Sequence, residues 1–529
     1  MIRIEECKLD LNYTEDDLTE RVCSILRVKK EALLSLEVVR RSVDARNRNA
    51  LCYVLTIDVQ VRKEKGVLQR AGRSNLKHMD PSRYHFPKCS ANGLPYRPVV
   101  IGSGPCGLFC AYELALHGFR PILLERGSEV DTRCERMQTF FAGGPLDPSN
   151  NAQFGEGGAG TFSDGKLTTS IHDRLGRSRE VLRIFVEMGA DSSILFDARP
   201  HLGTDVLIRI LKSFRARIAE LGGSIRFDSC VTDISVKDGQ LTGLTINNRD
   251  VIETQAAVFA IGHSARDTIR MLLQNAVIME PKPFAVGFRI EHPQEMIDRA
   301  QYGFSDHSLL GAAPYKVSAK TPDGRGVYSF CMCPGGYVIN ASSEPDRLCV
   351  NGMSYSGRDG RNANSAIVVS VLLKDARTSG PLSLMAFQEA LEEKTYRLAN
   401  GAIPQQLYGD FLRNQASTSY GDFDSAAKGP HAFSNLCELL PPGMTDAFLY
   451  GMERFGKQIK GFDRRDAILS GTESRTSSPV RMQRDENGVS SIHGLYPAGE
   501  GAGYAGGIIS AAVDGIRTAE HLALQLSRH

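Results

Sequence analysis

The stretch Gly102-Ser103-Gly104-Pro105-Cys106-Gly107 places three glycines at the spacing of a phosphate cradle. Its surroundings complete the pattern. An apolar run, Pro98–Ile101, leads into it and a helical pattern from Leu108 to His117 follows. A second apolar run ends in Glu125, 18 residues beyond Gly107. Each residue type answers a physical need. Gly102 permits the tight turn, Gly104 lets backbone approach a diphosphate, and Gly107 lets the helix close on the strand. The first turn of that helix offers free N–H groups and the positive end of its dipole. Glu125, with Arg126 beside it, can accept hydrogen bonds from two ribose hydroxyls and disfavours a 2′-phosphate. These residues point to an adenine dinucleotide.

A second glycine-rich stretch, NAQFGEGGAGTFSDGKL, runs from Asn151 to Leu167 with five glycines in seventeen residues. It has neither a helical period nor strand alternation, and Phe154 and Phe162 argue against a loose surface loop. Gly157, Gly158, Gly160 and Thr161 can present backbone N–H groups to a diphosphate or ribityl chain. Ser163, Asp164 and Lys166 then fall near a flavin ring, where Lys166 can bond N5 or hold a water. Pro105 within GxGPxG is common in flavoproteins. AAVFAIGHSA (256–265) resembles the second short motif of flavoproteins with two dinucleotide folds, with Gly262 at its turn. YPAGEGAGYAGG resembles their C-terminal motif, in which Gly499, Glu500, Gly506, Gly507 and Ile508 lie against the cofactor. Glu500 is one methylene longer than the usual Asp. A helix from about Gly507 would stabilise negative charge on a flavin pyrimidine. Val231, in a strand expected over 224–234, belongs to the same candidate set. FAD is therefore expected ahead of NAD.

The chain resembles a family of uncharacterised FAD-dependent proteins labelled NAD(FAD)-utilising dehydrogenases, related in fold to glutathione reductase-type flavoproteins. IGSGPCGL, the 151–167 stretch, KPFAVGFRIEHPQ, GAAPYK, SFCMCPGGYV, NGMSYSGRDGRNANSA and PAGEGAGYAGGIISAAVDGIR carry the resemblance, from about 98 to 517. The resemblance implies a bound FAD and an oxidoreductase, and it supplies no substrate.

On the substrate side, Lys166, Tyr315 and Arg358 are the candidate catalytic residues, with Tyr355 and His263 as further proton donors. Arg289, Lys316, Arg325, Arg358 and Arg361 suit an anionic substrate or internal ion pairs. Cys331 and Cys333 would share one face of a strand, read as buried thiols before redox ones. Cys106 and Cys110 read as small packed residues. No second GxGxxG follows a strand in the middle of the chain, the CxxxxC pair of disulfide reductases is missing, and no metal-ligand cluster or Ser/His/Asp order rises above chance. Electrons would come from transiently bound NAD(P)H, a protein donor or the substrate itself.

The elements that must position these groups follow. The fold class is α/β: a Rossmann-like FAD-binding domain, an inserted mixed α+β substrate domain and a small N-terminal βαββ unit, ferredoxin-like in outline. The expected domains are 1–95 with a basic linker, 96–275 and 488–529 for FAD, and 276–487 for substrate. Arg62–Lys88 holds eight Lys/Arg against two acids. It reads as a solvated linker packed over a neighbouring domain rather than an RNA-binding arm. Helices are expected at 205–220, 365–374 and 382–399. The 529 residues are 42% hydrophobic and 23% charged with net charge +2, which fits a globular protein without a global field for nucleic acid. Twelve scattered cysteines without a CxxC fit a reducing compartment. The acidic N-terminus lacks a signal-peptide pattern, and no apolar run approaches the ~20 residues of a membrane span. The expectation is a cytoplasmic FAD-dependent dehydrogenase or reductase with a small-molecule substrate, moving hydride between flavin N5 and substrate carbon. A flavin monooxygenase and an RNA-associated flavoprotein are the alternatives.

Overall fold

The computed structural model describes residues 1–48, 50–71, 74–79, 83–91, 94–304 and 310–527. At the N-terminus, strand Ile2–Leu9 leads to helix Glu15–Leu26. Thr14 and Asp17 cap that helix reciprocally. Strands Leu33–Asp44 and Cys52–Val61 follow, then helix Glu64–Ala71 and strand Leu76–His78. The antiparallel sheet runs Leu33–Asp44, Cys52–Val61, Ile2–Leu9, Leu76–His78, the ferredoxin-like order. The expected basic linker is therefore partly structure. Val67 and Ala71 turn inward, Val67 into the small core with Val22 and Ile57, while the charges of the segment stay outside. Residues 72, 73 and 80–82 of that stretch lie outside the described residues. Farther on, Tyr84 and Phe86 pack onto the next core, where Phe86 stacks on His117 with ring centroids 3.9 Å apart.

The next layer is a five-stranded parallel sheet in the order Leu495–Pro497, Ala257–Phe259, Val99–Ile101, Ile122–Leu124, Ser224–Arg226. The four inner and C-terminal strands are buried throughout, which removes the alternation of a half-exposed strand. Helices Pro105–Leu116 and Ile508–Leu526 cross in close contact, because a Cβ at Gly515 would lie 2.1 Å from the Cys106 carbonyl oxygen. Cys106 and Cys110 are buried in that contact. The strand expected over 224–234 is two strands. Ser224–Arg226 ends in this sheet, and Val231–Lys237 pairs into a separate three-stranded antiparallel sheet with Gln240–Ile246 and Asp250–Glu253.

The third layer is a seven-stranded sheet built on the neighbouring strands Phe284–Pro293 and Asn362–Val371, paired over their whole length. The helix expected at 365–374 is thus a strand. Its run Ile367, Val368, Val369 and Val371 is buried on both faces, so it has no alternation, and β-branched side chains settle in a sheet. Helix Ser383–Leu398 does form where one was expected. Strand Gly326–Cys333 borders Asn362–Val371, and its register slips between Phe330 and Cys333. Among the described residues, no helix is long and apolar enough to cross a membrane.

Candidate functional site

A cavity of about 390 Å³ opens at the carboxyl ends of Val99–Ile101 and Ile122–Leu124 and reaches the Gly326–Cys333 strand of the seven-stranded sheet. Its first end is mostly backbone. Gly102 has φ +97°, and a Cβ there would lie 2.4 Å from the Ala260 carbonyl oxygen. Gly104 caps helix Pro105–Leu116 without a side-chain bond, so the first-turn N–H groups stay directed at the cavity. Gly158 faces Gly104 across the gap, where its Cβ would meet the Gly104 Cα at 3.0 Å. Gly262 and Gly506 have open space where a Cβ would stand.

Thirteen of the residues predicted to touch cofactor line this cavity: Gly102, Gly104, Pro105, Glu125, Arg126, Gly158, Gly160, Val231, Gly262, Glu500, Gly506, Gly507 and Ile508. Gly107, Gly157, Thr161 and Gly499 stand behind it. Gly107 lets the helix close on the turn, where a Cβ would lie 1.8 Å from the Gly102 carbonyl oxygen. Gly157 is closed in by Thr161 and Leu211, and Gly499 by Cys106. Thr161 is structural: its hydroxyl accepts from Arg133 and donates to the Glu156 carbonyl, both at 3.1 Å.

Glu125 is more engaged than its sequence position predicts. One oxygen accepts from Ser103 N at 2.9 Å and Ser103 Oγ at 2.7 Å, the other from Gly127 N at 2.9 Å and Gly155 N at 3.0 Å. That fills the acceptor capacity of a carboxylate. A ribose hydroxyl would bond Glu125 by displacing the Ser103 hydroxyl, the one mobile donor of the four. Arg126 lies 4.3 Å from the Phe154 ring centre and donates to Asp267 and Thr268 at 2.9 Å.

The opposite end is made of side chains. Lys166 pairs with Asp164 at 2.9 Å and donates to the Met332 carbonyl. Arg358 donates to both oxygens of Asp164, through Nε at 3.0 Å and NH2 at 2.5 Å. Burial alone would raise the Asp164 carboxyl, but Lys166 and Arg358 outweigh it and hold it down at about 2. Burial would lower Lys166, and Asp164 outweighs that too, so the ammonium is held above its ordinary range. Cys331, Asn351, Arg475 and Thr476 complete this wall. Arg475 and Arg266 both grip Glu392, which is fully buried. On the flank, His263 Nδ1 lies 3.2 Å from Glu500, and its buried Nε2 has no hydrogen-bond partner.

Two predicted catalytic residues are placed differently. Tyr315 does not line the cavity: it is buried in the core of the seven-stranded layer, bonded to the Ser365 hydroxyl at 2.7 Å. Arg358 does not line it either and acts by holding Asp164. Of the other basic groups, Arg289 pairs with Glu473, Arg325 with Asp375, and Arg361 donates to the Ser425 carbonyl, so these arginines are spent on internal contacts, while Lys316 is exposed and does not line the cavity. Cys331 and Cys333 do not alternate along a regular strand, because the register slips there and Cys331 has φ +45°. Asn351 and Arg475 were missed. Arg475 carried one signal, a charge among the small residues of a buried strand end, GTESRTSS.

The domain described as FAD-dependent protein, C-terminal domain-like, matches residues 283–476, which span the central strands of the seven-stranded sheet. The NAD(P)-binding Rossmann-like domain matches residues 100–146, and a domain of unknown function (DUF8436) matches residues 1–60. A protein of Clostridium beijerinckii, named only "Uncharacterized protein", is 44% identical over 526 residues, covering 98% of each chain. The chain belongs to this family of FAD-dependent proteins. Solved structures are more distant. The flavin-dependent brominase Bmp2 is 13% identical with a TM-score of 0.38, over 82% of this chain and 80% of that one. The L-amino acid deaminase from Proteus myxofaciens is 12% identical with a TM-score of 0.35, over 83% and 92%. Likenesses this slight carry no argument about the reaction, and these matches do not narrow the family to the glutathione reductase type.

The site itself fits a family of this kind. The glycine-lined end keeps side chains out of a channel beside a helix N-terminus, and the buried, unpartnered Nε2 of His263 is a polar atom in want of a partner.

Proposed function

We propose that the cavity binds FAD and that the protein is an FAD-dependent oxidoreductase acting on a small organic molecule. The observation supporting this most directly is the continuity of one cavity, from the Gly102–Gly107 turn to the wall of Lys166, Cys331 and Asn351. Gly102, Gly104, Gly158 and the first turn of helix Pro105–Leu116 would hold the diphosphate. Glu125, Arg126 and Val231 would take the adenosine end, and Gly262 with Gly506–Ile508 the flavin end. When bound, FAD supplies a two-electron acceptor or donor of hydride at N5.

The chain's own residues supply positioning and proton control. Lys166 is held charged by Asp164, so it donates hydrogen bonds and does not serve as a base. His263 is oriented through Nδ1 by Glu500, leaving Nε2 as the atom that holds or moves a proton. The Arg266–Glu392–Arg475 cluster fixes the Arg475 part of the far wall through direct ion pairs. With the arginines that suggested an anionic substrate spent on internal contacts, the reading does not restrict substrate charge. Transiently bound NAD(P)H is the proposed electron donor.

The test is direct. Purified full-length protein is examined for visible flavin absorbance, supplied with FAD, and mixed anaerobically with NADH, NADPH and a panel of metabolites. A yellow protein bleached by one of them is expected. Folded protein that stays colourless in excess FAD would sink the reading.

A further inference from the structure

The cavity's far wall contains a pair of thiols in unusual surroundings. Strand Gly326–Cys333 pairs regularly with Asn362–Val371 up to Phe330, and the register then slips before Cys333. The slip places Cys331 at φ +45°, a left-handed conformation uncommon for a residue with a Cβ and one that collects at functional sites. It also folds the two cysteines onto each other, so that the Cys333 thiol reaches the Cys331 carbonyl oxygen at 3.3 Å. Both thiols are free. Cys331 lines the cavity and is half-buried, whereas Cys333 is fully buried.

The charges around the pair favour an anion. Lys166 bonds the carbonyl of Met332, the residue between the two cysteines. Arg289 donates to the Cys331 carbonyl at 3.1 Å and lies 3.9 Å from the Cys333 sulfur. Arg289 is paired with Glu473, while Lys166 shares Asp164 with Arg358. The neighbouring Cys333 thiol favours the Cys331 thiolate most, and Lys166 and Arg289 add to it against burial. The Cys331 side chain, and then burial, hold Cys333 in its protonated form. A cavity-lining thiol held toward its thiolate beside a protected second one is the arrangement of an attacking and a resolving cysteine.

We propose that Cys331 and Cys333 form a redox-active dithiol that exchanges with a low-molecular-weight disulfide entering the cavity. The Cys331 thiolate attacks one sulfur of the disulfide RSSR. The S–S bond breaks, a Cys331–SR bond forms, and the first RS⁻ leaves to take up the proton that Cys331 lost. Cys333 then attacks the Cys331 sulfur, the bond to SR breaks, and the Cys333 proton passes to the second RS⁻. The sum is RSSR plus two protein thiols giving two RSH and a Cys331–Cys333 disulfide, with two electrons moving to the substrate. This goes beyond the FAD reading and stands without it, since every electron comes from the chain's own sulfurs.

The experiment uses full-length protein, reduced and desalted, then equilibrated with 2-hydroxyethyl disulfide and 2-mercaptoethanol at graded ratios. After acid quenching and alkylation, cleavage at Arg325 and Arg347 releases a peptide of residues 326–347, whose cysteines are Cys331 and Cys333 alone. In wild type this peptide should become two hydrogens lighter in a fraction that follows the ratio and reverses with it. The Cys333→Ser variant should accumulate the mixed disulfide at Cys331, roughly tenfold or more faster than Cys331→Ser accumulates it at Cys333. A wild-type peptide that keeps two free thiols at every ratio would overturn the proposal, whatever the variants do. So would equal modification of the two variants.

Discussion

The two ends of the cavity are built by opposite means. At the glycine-lined cofactor end, from the nucleotide cradle to the proposed flavin position, the walls are main chain: Gly102, Gly104, Gly158 and Gly506 present peptide groups, and the helix start supplies direction. At the far end the walls are side chains held by other side chains, as Asp164 holds Lys166 and Arg358 while Glu392 holds Arg266 and Arg475. A backbone wall tolerates no added atom where it is packed, and it has no protonation state to lose. A side-chain wall tolerates small changes of shape and depends on charge balance. The two ends should therefore fail differently under mutation.

The largest effect belongs to Gly107→Ala. A Cβ there would lie 1.8 Å from the Gly102 carbonyl oxygen, so the turn and the helix would have to separate. A loss of about 3 kcal/mol or more is expected in urea denaturation, together with loss of FAD retention. A variant of wild-type stability would show that the nucleotide end yields as readily as the far end, and the contrast would fall.

Asp164→Asn comes next and acts by charge. The carboxylate is buried with Lys166 and Arg358 on it, and its pKa lies near 2 against an ordinary 3.8. A depressed carboxyl contributes stability that is fully present above its unfolded value and fades as pH falls through its folded value. Wild type should exceed the variant by roughly 2–3 kcal/mol at neutral pH. That gap should narrow as denaturation is repeated at pH values falling below about 4. A gap that does not change with pH would mean that shape, not charge, sets the far end.

How far the sequence could be read follows the same division. The nucleotide end is encoded by contiguous residues, so one stretch, 102–107, with Glu125 behind it locates the cradle. Its limits are local: nothing in the sequence tells that Thr161 turns to Arg133, or that Glu125 is already saturated by Ser103, Gly127 and Gly155. The far end is assembled from residues 166, 331, 351 and 475, which come from a loop, a strand of the seven-stranded sheet, a strand of a separate two-stranded sheet and the segment after strand Ile468–Glu473, so only the tertiary fold brings them together. The seven-stranded sheet was the part read least well. Its strand Asn362–Val371 is buried on both faces, which hides strand alternation and reads as a helix, and the slip at Cys331 breaks the alternation that would have oriented the thiols. Tyr315 was chosen for its chemistry, and packing placed it in the core beside Phe462.

The smallest effect on stability separates cradle from scaffold. Gly506 lines the cavity, its φ lies outside the left-handed region, and nothing stands within 4 Å of an added Cβ. Gly506→Ala should therefore unfold within about 0.5 kcal/mol of wild type when FAD is absent. The added methyl points into space the cofactor is proposed to fill, and overpacking of that kind costs about 1–3 kcal/mol, a loss of FAD affinity of roughly tenfold. Gly107→Ala destroys the cradle by moving the fold, whereas Gly506→Ala should leave the fold alone and obstruct the cradle. Titration of each folded variant with FAD, beside its urea curve, reads the two quantities separately. Unchanged FAD affinity in Gly506→Ala would move the cofactor away from the start of helix Ile508–Leu526 and confine the backbone-built end to the Gly102–Gly107 turn.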